Sequence, residues 1–284
     1  MNNRQRAARL AVVVVLAGTS LAFAETRQEF RFNVGRHVIV SVLNQYGPVS
    51  VKPGAVKQVV VTAITYSDKV EVDKSQSGNR VGIVSHLLPG ADAETGRVDY
   101  DVVVPADASV TLQSTTGPLH AEGLHGDVTL EGASAAMDVR EINDAHVHVK
   151  TLNGQVNLTN IRDGHVEITS VSGDVVMNSV NGPFVLVNSN SGKIHYDGEF
   201  GGGGEYNLTS HTGDIEALAP SYASIDVTAR SEQGKVENDF DGAMQPRHTW
   251  FPVKAGSAFA GTMGKAASSV KLFSISGKIH LKKR

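Results

Sequence analysis

The chain has 284 residues, with 26 Lys+Arg against 29 Asp+Glu for a net charge of -3, and it holds no cysteine. The lack of cysteine excludes a disulfide framework, thiolate catalysis, a zinc–thiolate finger and a lipidated N-terminal cysteine. The near-neutral balance lacks the basic surplus of a nucleic-acid binder, and 40% hydrophobic with 19% charged residues excludes a disordered chain.

Residues 1–24 read as a secretory signal peptide. Arg4, Arg6 and Arg9 form a basic start, Leu10 to Leu16 is apolar, and Ala22-Phe23-Ala24 is a small-x-small cleavage site. Cleavage is expected after Ala24. An uncleaved anchor is the alternative, but the apolar stretch is short of the roughly 20 residues of a span. No consecutive arginine pair is present, so general secretion is expected, to the periplasm, the exterior or the cell surface.

A short phrase then recurs: Ser/Thr, any residue, a small polar residue, Gly, a polar residue, Val or Ile. It ends in Asn153-Gly154-Gln155-Val156, Ser172-Gly173-Asp174-Val175, Ser191-Gly192-Lys193-Ile194, Thr212-Gly213-Asp214-Ile215, Gln233-Gly234-Lys235-Val236 and Ser276-Gly277-Lys278-Ile279. The steps from Gly154 to Gly173 and from Gly173 to Gly192 are 19 residues each. A second phrase lies midway, as in Gly126-Asp127-Val128, Ala145-His146-Val147, Gly164-His165-Val166 and Gly182-Pro183-Phe184.

Between phrases, apolar and polar residues alternate over about five positions, the mark of a half-buried strand. Strands this short bury a face only by stacking on copies of themselves. The expected fold is therefore all-β, a single elongated β-solenoid of about 19 residues per coil. Glycine suits its corners, where positive φ or close packing excludes a Cβ.

The repeat places Met137, Val156, Val175, Ile194, Ile215, Val236 and Ile279 in one inward column. Val128, Val147, Val166 and Phe184 make a second, and Leu130, Val149, Ile168 and Leu186 a third. Asp174, Lys193, Asp214 and Lys235 form an outward column of alternating sign.

Three regions are expected: the signal at 1–24, a β-rich N-terminal cap or irregular coils at 25–110, and the regular solenoid at 111–284 with an inserted loop at 241–261. Longer strands are expected near 58–66, 79–85 and 98–105.

The Gly-Asp-Val phrases, the run Val102-Val103-Val104-Pro105 leading into Ser114-Thr115-Thr116-Gly117, and the closing Ser274 to Ile279 resemble the bacterial putative-adhesin family. These are secreted β-strand repeat proteins of a domain of unknown function, similar to auto-transporter adhesin head domains. The resemblance spans about 25–284 and implies a β-solenoid in the envelope or outside the cell. It transfers no catalytic or binding residues. At Ser134-Ala135-Ala136 the glycine is missing, and a distorted coil is expected.

The chain has 11 histidines. His146 and His165 fall in one outward column with Asp127, and His148 and Glu167 in the next, a set of zinc-compatible donors. The preferred reading is a column of solvated polar positions, with no metal and no cofactor. Asp138, Glu141 and Asp144 are the candidate acids of a polysaccharide enzyme, which needs a carboxyl pair roughly 5–9.5 Å apart beside a groove; surface acids are the preferred reading. No Gly-x-Ser-x-Gly elbow or phosphate loop occurs, and Gly261 to Lys265 has the wrong spacing for one.

Arg247, Trp250 and Phe251 form the best candidate binding loop, since exposed aromatics with a polar rim mark interaction sites. The competing reading packs both rings against the solenoid. The functional expectation is a non-enzymatic envelope or surface protein, an adhesin or scaffold presenting a flat face to a protein or glycan. The alternatives are a periplasmic polysaccharide-binding or polysaccharide-processing protein and an envelope-stress or assembly accessory.

Overall fold

The computed structural model describes residues 25–54, 57–240, 242–247 and 256–284. The signal segment expected at 1–24 lies outside them, as do Trp250 and Phe251. Among the described residues every regular element is a strand, and all of the strands belong to two sheets. The all-β solenoid-like architecture expected from the repeat is present.

Each rung of the stack gives one strand to each sheet. His146–Thr151 and Val156–Ile161 make one such rung, and His165–Ser170 and Val175–Val180 the next. Neighbouring rungs pair in parallel and in register, so Val156 faces Val175 and Val175 faces Ile194. Period-two alternation turns Val156, Leu158, Val175 and Met177 into the space between the sheets, where all four are fully buried. Each such residue contributes roughly 1.5–3 kcal/mol by leaving water.

Two inward columns need correction. Phe184 pairs with His165 and Leu186 with Glu167, so both point outward; Val185 and Val187 take the core positions. Phe184-Val185-Leu186-Val187 is apolar at every position, so alternation alone cannot fix its phase.

The order of the last rungs also differs from chain order. Ile215 pairs with Ile279, and Ile279 with Val236. The C-terminal rung, Ser268–Ser274 with Ile279–Lys283, therefore sits between the rung of Glu205–Ser210 and that of Ile225–Ser231. Lys278 thus falls between Asp214 and Lys235, and the expected strict alternation of charge ends there. The N-terminal half shows the same out-and-back path. Ile39–Asn44 pairs with Ser109–Ser114 on one side and Arg80–Leu87 on the other.

Antiparallel strands cover both sheets at the N-terminal end and one sheet at the far end, where the other finishes on the parallel strand Val236–Asn238. Thr26–Asn33 and Gln58–Thr65 close one sheet and Val70–Ser77 the other, with Lys74 Nζ 4.3 Å above the Phe30 ring to join the two edges. At the far end Ala258–Met263 lies against Ile225–Ser231 and Gln245–Pro246 against Ala258–Met263. Charged residues on outer strands deter further edge pairing.

The recurring phrase has a physical basis at the corner. Its Ser or Thr is buried and binds the glycine three positions on: Ser170 Oγ donates to the Gly173 carbonyl at 2.8 Å, and the Gly213 amide donates to Ser210 Oγ at 2.9 Å. Gly173 does not have positive φ, contrary to one of the two reasons expected. The other reason decides: a Cβ there would lie 1.9 Å from the carbonyl oxygen of Gly154, one rung earlier. Ala135 occupies the corner that lacks glycine, yet Val128–Gly132 and Met137–Arg140 still pair on both sides, so the rung is intact.

Candidate interaction surface

Outward residues form columns because successive rungs share register. On one sheet His120 faces Asp138, and farther along His195 faces Glu216, which faces His280. His120 Nδ1 lies 3.0 Å from Asp138 Oδ2, and Arg140 Nε lies 2.9 Å from the same oxygen. His195 Nδ1 is 3.0 Å from Glu216 Oε1, and His280 Nε2 is 2.8 Å from Asp239 Oδ1. The hydrogen bond from His280 holds the Asp239 carboxyl below the usual carboxylate range, and that from Lys278 does the same for Glu237. Exposed pairs of this kind contribute roughly 0.2–1 kcal/mol each, so they order side chains more than they hold the fold.

On the opposite sheet Asp127, His146, His165 and Phe184 form a column. The His146 amide donates to Asp127 Oδ1 at 3.1 Å, and His146 Nδ1 lies 3.4 Å from that oxygen. His146 Nε2 is 3.2 Å from His165 Nδ1, and His148 Nδ1 in the next column is 3.4 Å from Glu167 Oε2. Two shallow depressions, of about 180 and 240 Å³, flank the pair. The two histidine columns read from the repeat are therefore real neighbours. Among the described residues no three His, Asp or Glu side chains converge as a metal-binding group.

The candidate acids are dispersed. Asp138 is engaged by His120 and Arg140. Glu141 lines one depression with Asn143, Asn160 and Arg162, while Asp144 lines another with the histidine pair. Arg247 is exposed but tied down: Nη1 donates to Asp226 Oδ2 and Nη2 to Thr228 Oγ1, both at 2.9 Å. Trp250 and Phe251 lie outside the described residues.

Two surface features were not read from the sequence. Asp side chains that follow a corner glycine accept a backbone amide of the next rung, as Asp174 does from Lys193 and Asp214 from Lys278, each at 2.8 Å. The recurring Gly-Asp pair carried that signal. Leu152 and Val171 stand one rung apart on the corner ridge, 53% and 42% exposed, at the variable second position of the phrase.

The profile described as Toastrack DUF4097 matches residues 41–282. No curated protein matches the chain. Among solved structures, a putative cell adhesion protein from Clostridium sporogenes ATCC 15579 is similar at 12% identity and a TM-score of 0.26, over 91% of this chain and 100% of that one. A putative adhesin from Bacteroides fragilis NCTC 9343 is similar at 11% identity and a TM-score of 0.37, over 92% of this chain and 99% of that one. At these scores neither likeness carries an argument about role.

Proposed function

From the premise that this chain belongs to the Toastrack DUF4097 family, we propose that it is a non-enzymatic envelope or surface protein, an adhesin or scaffold whose flat faces hold a protein or glycan by many weak contacts. The observation that carries this reading is the register of the outward columns, as in His195–Glu216–His280, which repeats side chains at the rung spacing of about 4.8 Å. Regular spacing suits multivalent attachment, where linked weak contacts add to strong avidity.

The dispersal of the candidate acids supports a non-enzymatic role: Asp138 is engaged by His120 and Arg140, while Glu141 and Asp144 line different depressions. The basic start, apolar run and small-x-small site of residues 1–24 support export by the general secretory route and cleavage after Ala24. Among the described residues no helix is long and apolar enough to cross a membrane. Arg247, Trp250 and Phe251 remain the proposed contact residues of the loop, a reading supported by their adjacency in sequence.

The test compares monomeric and bead-clustered protein on arrays of envelope glycans and envelope proteins, with turnover assayed in parallel. Retention that rises steeply on clustering, without turnover, is expected. Release of reducing ends from a bound polysaccharide would replace this reading with an enzymatic one.

A further inference from the structure

We propose that His146 and His165 form a two-imidazole chelate for a divalent transition-metal ion of the Zn²⁺, Ni²⁺ and Cu²⁺ class. The pair arises from a local repetition of the chain, Asp-small-His, at the 19-residue step. Asp144-Ala145-His146 and Asp163-Gly164-His165 enter successive strands, and Asp144 and Asp163 share a left-handed backbone, with φ of 53° and 50°. A buried Ala145 and a buried Gly164 follow, and the two histidines then stand directly opposite one another on paired strands.

The spacing matches chelation. His146 Nε2 and His165 Nδ1 are 3.2 Å apart. Two imidazole nitrogens about 2.0–2.1 Å from a tetrahedral zinc ion lie roughly 3.4 Å apart, so a slight opening of the pair admits the ion. The ring planes are tilted by 45°, with centroids 4.9 Å apart, so these rings are not stacked face to face.

Asp127 supplies the orientation. Its Oδ1 is held by the His146 amide and faces His146 Nδ1. A proton on Nδ1 directed at a carboxylate leaves the Nε2 lone pair for a metal, the usual support of a metal-bound imidazole. His120, His148, His195 and His280 instead meet carboxylates. No third protein donor joins the pair among the described residues, so water completes the coordination shell. Asp144 and Asp163 line the same depression and add negative potential. Imidazole donors favour Zn²⁺, Ni²⁺ and Cu²⁺, whereas Mg²⁺ and Ca²⁺ require oxygen shells. The competing arrangement is a proton shared between the two rings.

The test is calorimetric titration of the tag-free protein with Zn²⁺, Ni²⁺, Cu²⁺ and Mg²⁺, with circular dichroism as the fold control. One transition-metal ion per chain and no Mg²⁺ are expected. His146→Gln and His165→Gln should each weaken binding at least about ten-fold and Asp127→Asn by about ten-fold, with His148→Gln unchanged. Electron paramagnetic resonance of the wild-type Cu²⁺ complex should show two coordinated imidazole nitrogens, a readout independent of any variant's folding. No binding, binding that survives either histidine substitution, or a single-nitrogen spectrum would overturn the assignment.

Discussion

Gly277 rests on Gly213: a Cβ at position 277 would come within 2.0 Å of the Gly213 carbonyl oxygen. Gly234 rests on Gly277 in turn, with its own Cβ position 2.3 Å from the Gly277 oxygen. Because the obstacle is backbone of the stacked corner one rung away, held by the paired strands on either side, it cannot rotate away. Gly277→Ala is expected to lower stability by more than about 2 kcal/mol. Gly202→Ala, which would meet nothing within 4 Å, should stay within about 0.5 kcal/mol of the parent. Urea midpoints compare the two, and equal midpoints would refute the close-packing account of the corners.

At the corner that lacks glycine, the large and small positions are exchanged. Gly132 occupies the place that Ser114 and Thr151 take on adjacent rungs, and Ala135 takes the corner. A Cβ added at Gly132 would lie 2.9 Å from the Ala135 Cβ and 2.8 Å from Met137 Cε. Gly132→Ser alone is therefore expected to destabilise, and Ala135→Gly in the same chain to recover most of the loss. The coupling should exceed about 0.5 kcal/mol in a double-mutant thermal melt; additive effects would mean that the two sites do not share space.

Inward and outward neighbours should respond very differently. Val175 is fully buried, and Val175→Asp places a charge there without a partner. Its expected cost exceeds about 4 kcal/mol, seen as loss of the cooperative melt. Asp174 is exposed, but its Oδ1 accepts the Lys193 amide at 2.8 Å. Asp174→Ala should cost about 1 kcal/mol, and Asp174→Asn, which keeps the acceptor, less. A silent Asp174→Ala would remove this hydrogen bond from the forces that set register.

Much of this was legible in the residues. Where apolar and polar positions alternate cleanly, as from Val147 to Ile168, column and face follow from spacing, because a slip of one residue would turn every valine to water. Phe184 to Val187 carried no such contrast. Insertion of the C-terminal rung was hidden for another reason: Val236 and Ile279 fit the same column equally well, so spacing could not say which follows Ile215. The histidine column was legible as an alignment, but the nitrogen that faces each neighbour depends on ring orientation, which sequence does not encode.

High pH should unfold the protein through its buried tyrosines. Burial pushes the Tyr100 hydroxyl up to about 12 and raises that of Tyr196 well above its ordinary 10.0. Between those values the unfolded chain loses phenolic protons that the folded chain keeps, so stability is full below pH 10 and falls as pH rises toward 12. The slope should approach about 1.4 kcal/mol per pH unit for each such tyrosine. Tyr100→Phe should cost about 1 kcal/mol at pH 8 for its lost hydrogen bond to Ser85 and make the alkaline decline shallower. An unchanged slope, read from denaturant titrations at pH 8 to 12, would point to other groups.

Every column on both faces depends on the order of stacking, and a chain without cysteine allows a direct test by crosslinking. Thr212, Ser276 and Gln233 follow one another along a corner ridge: the Ser276 amide donates to the His211 carbonyl and the Gln233 amide to that of Ile275. Thr212→Cys with Ser276→Cys places the two thiols one rung apart, within the 4.4–6.8 Å Cα separation that a disulfide accepts, whereas Thr212→Cys with Gln233→Cys places them two rungs apart, beyond about 7 Å. Rapid bridging of the first pair and none of the second is the expected result under mild oxidation of the folded protein. Bridging of the second pair in place of the first would contradict the insertion of the final rung and the surfaces built upon it.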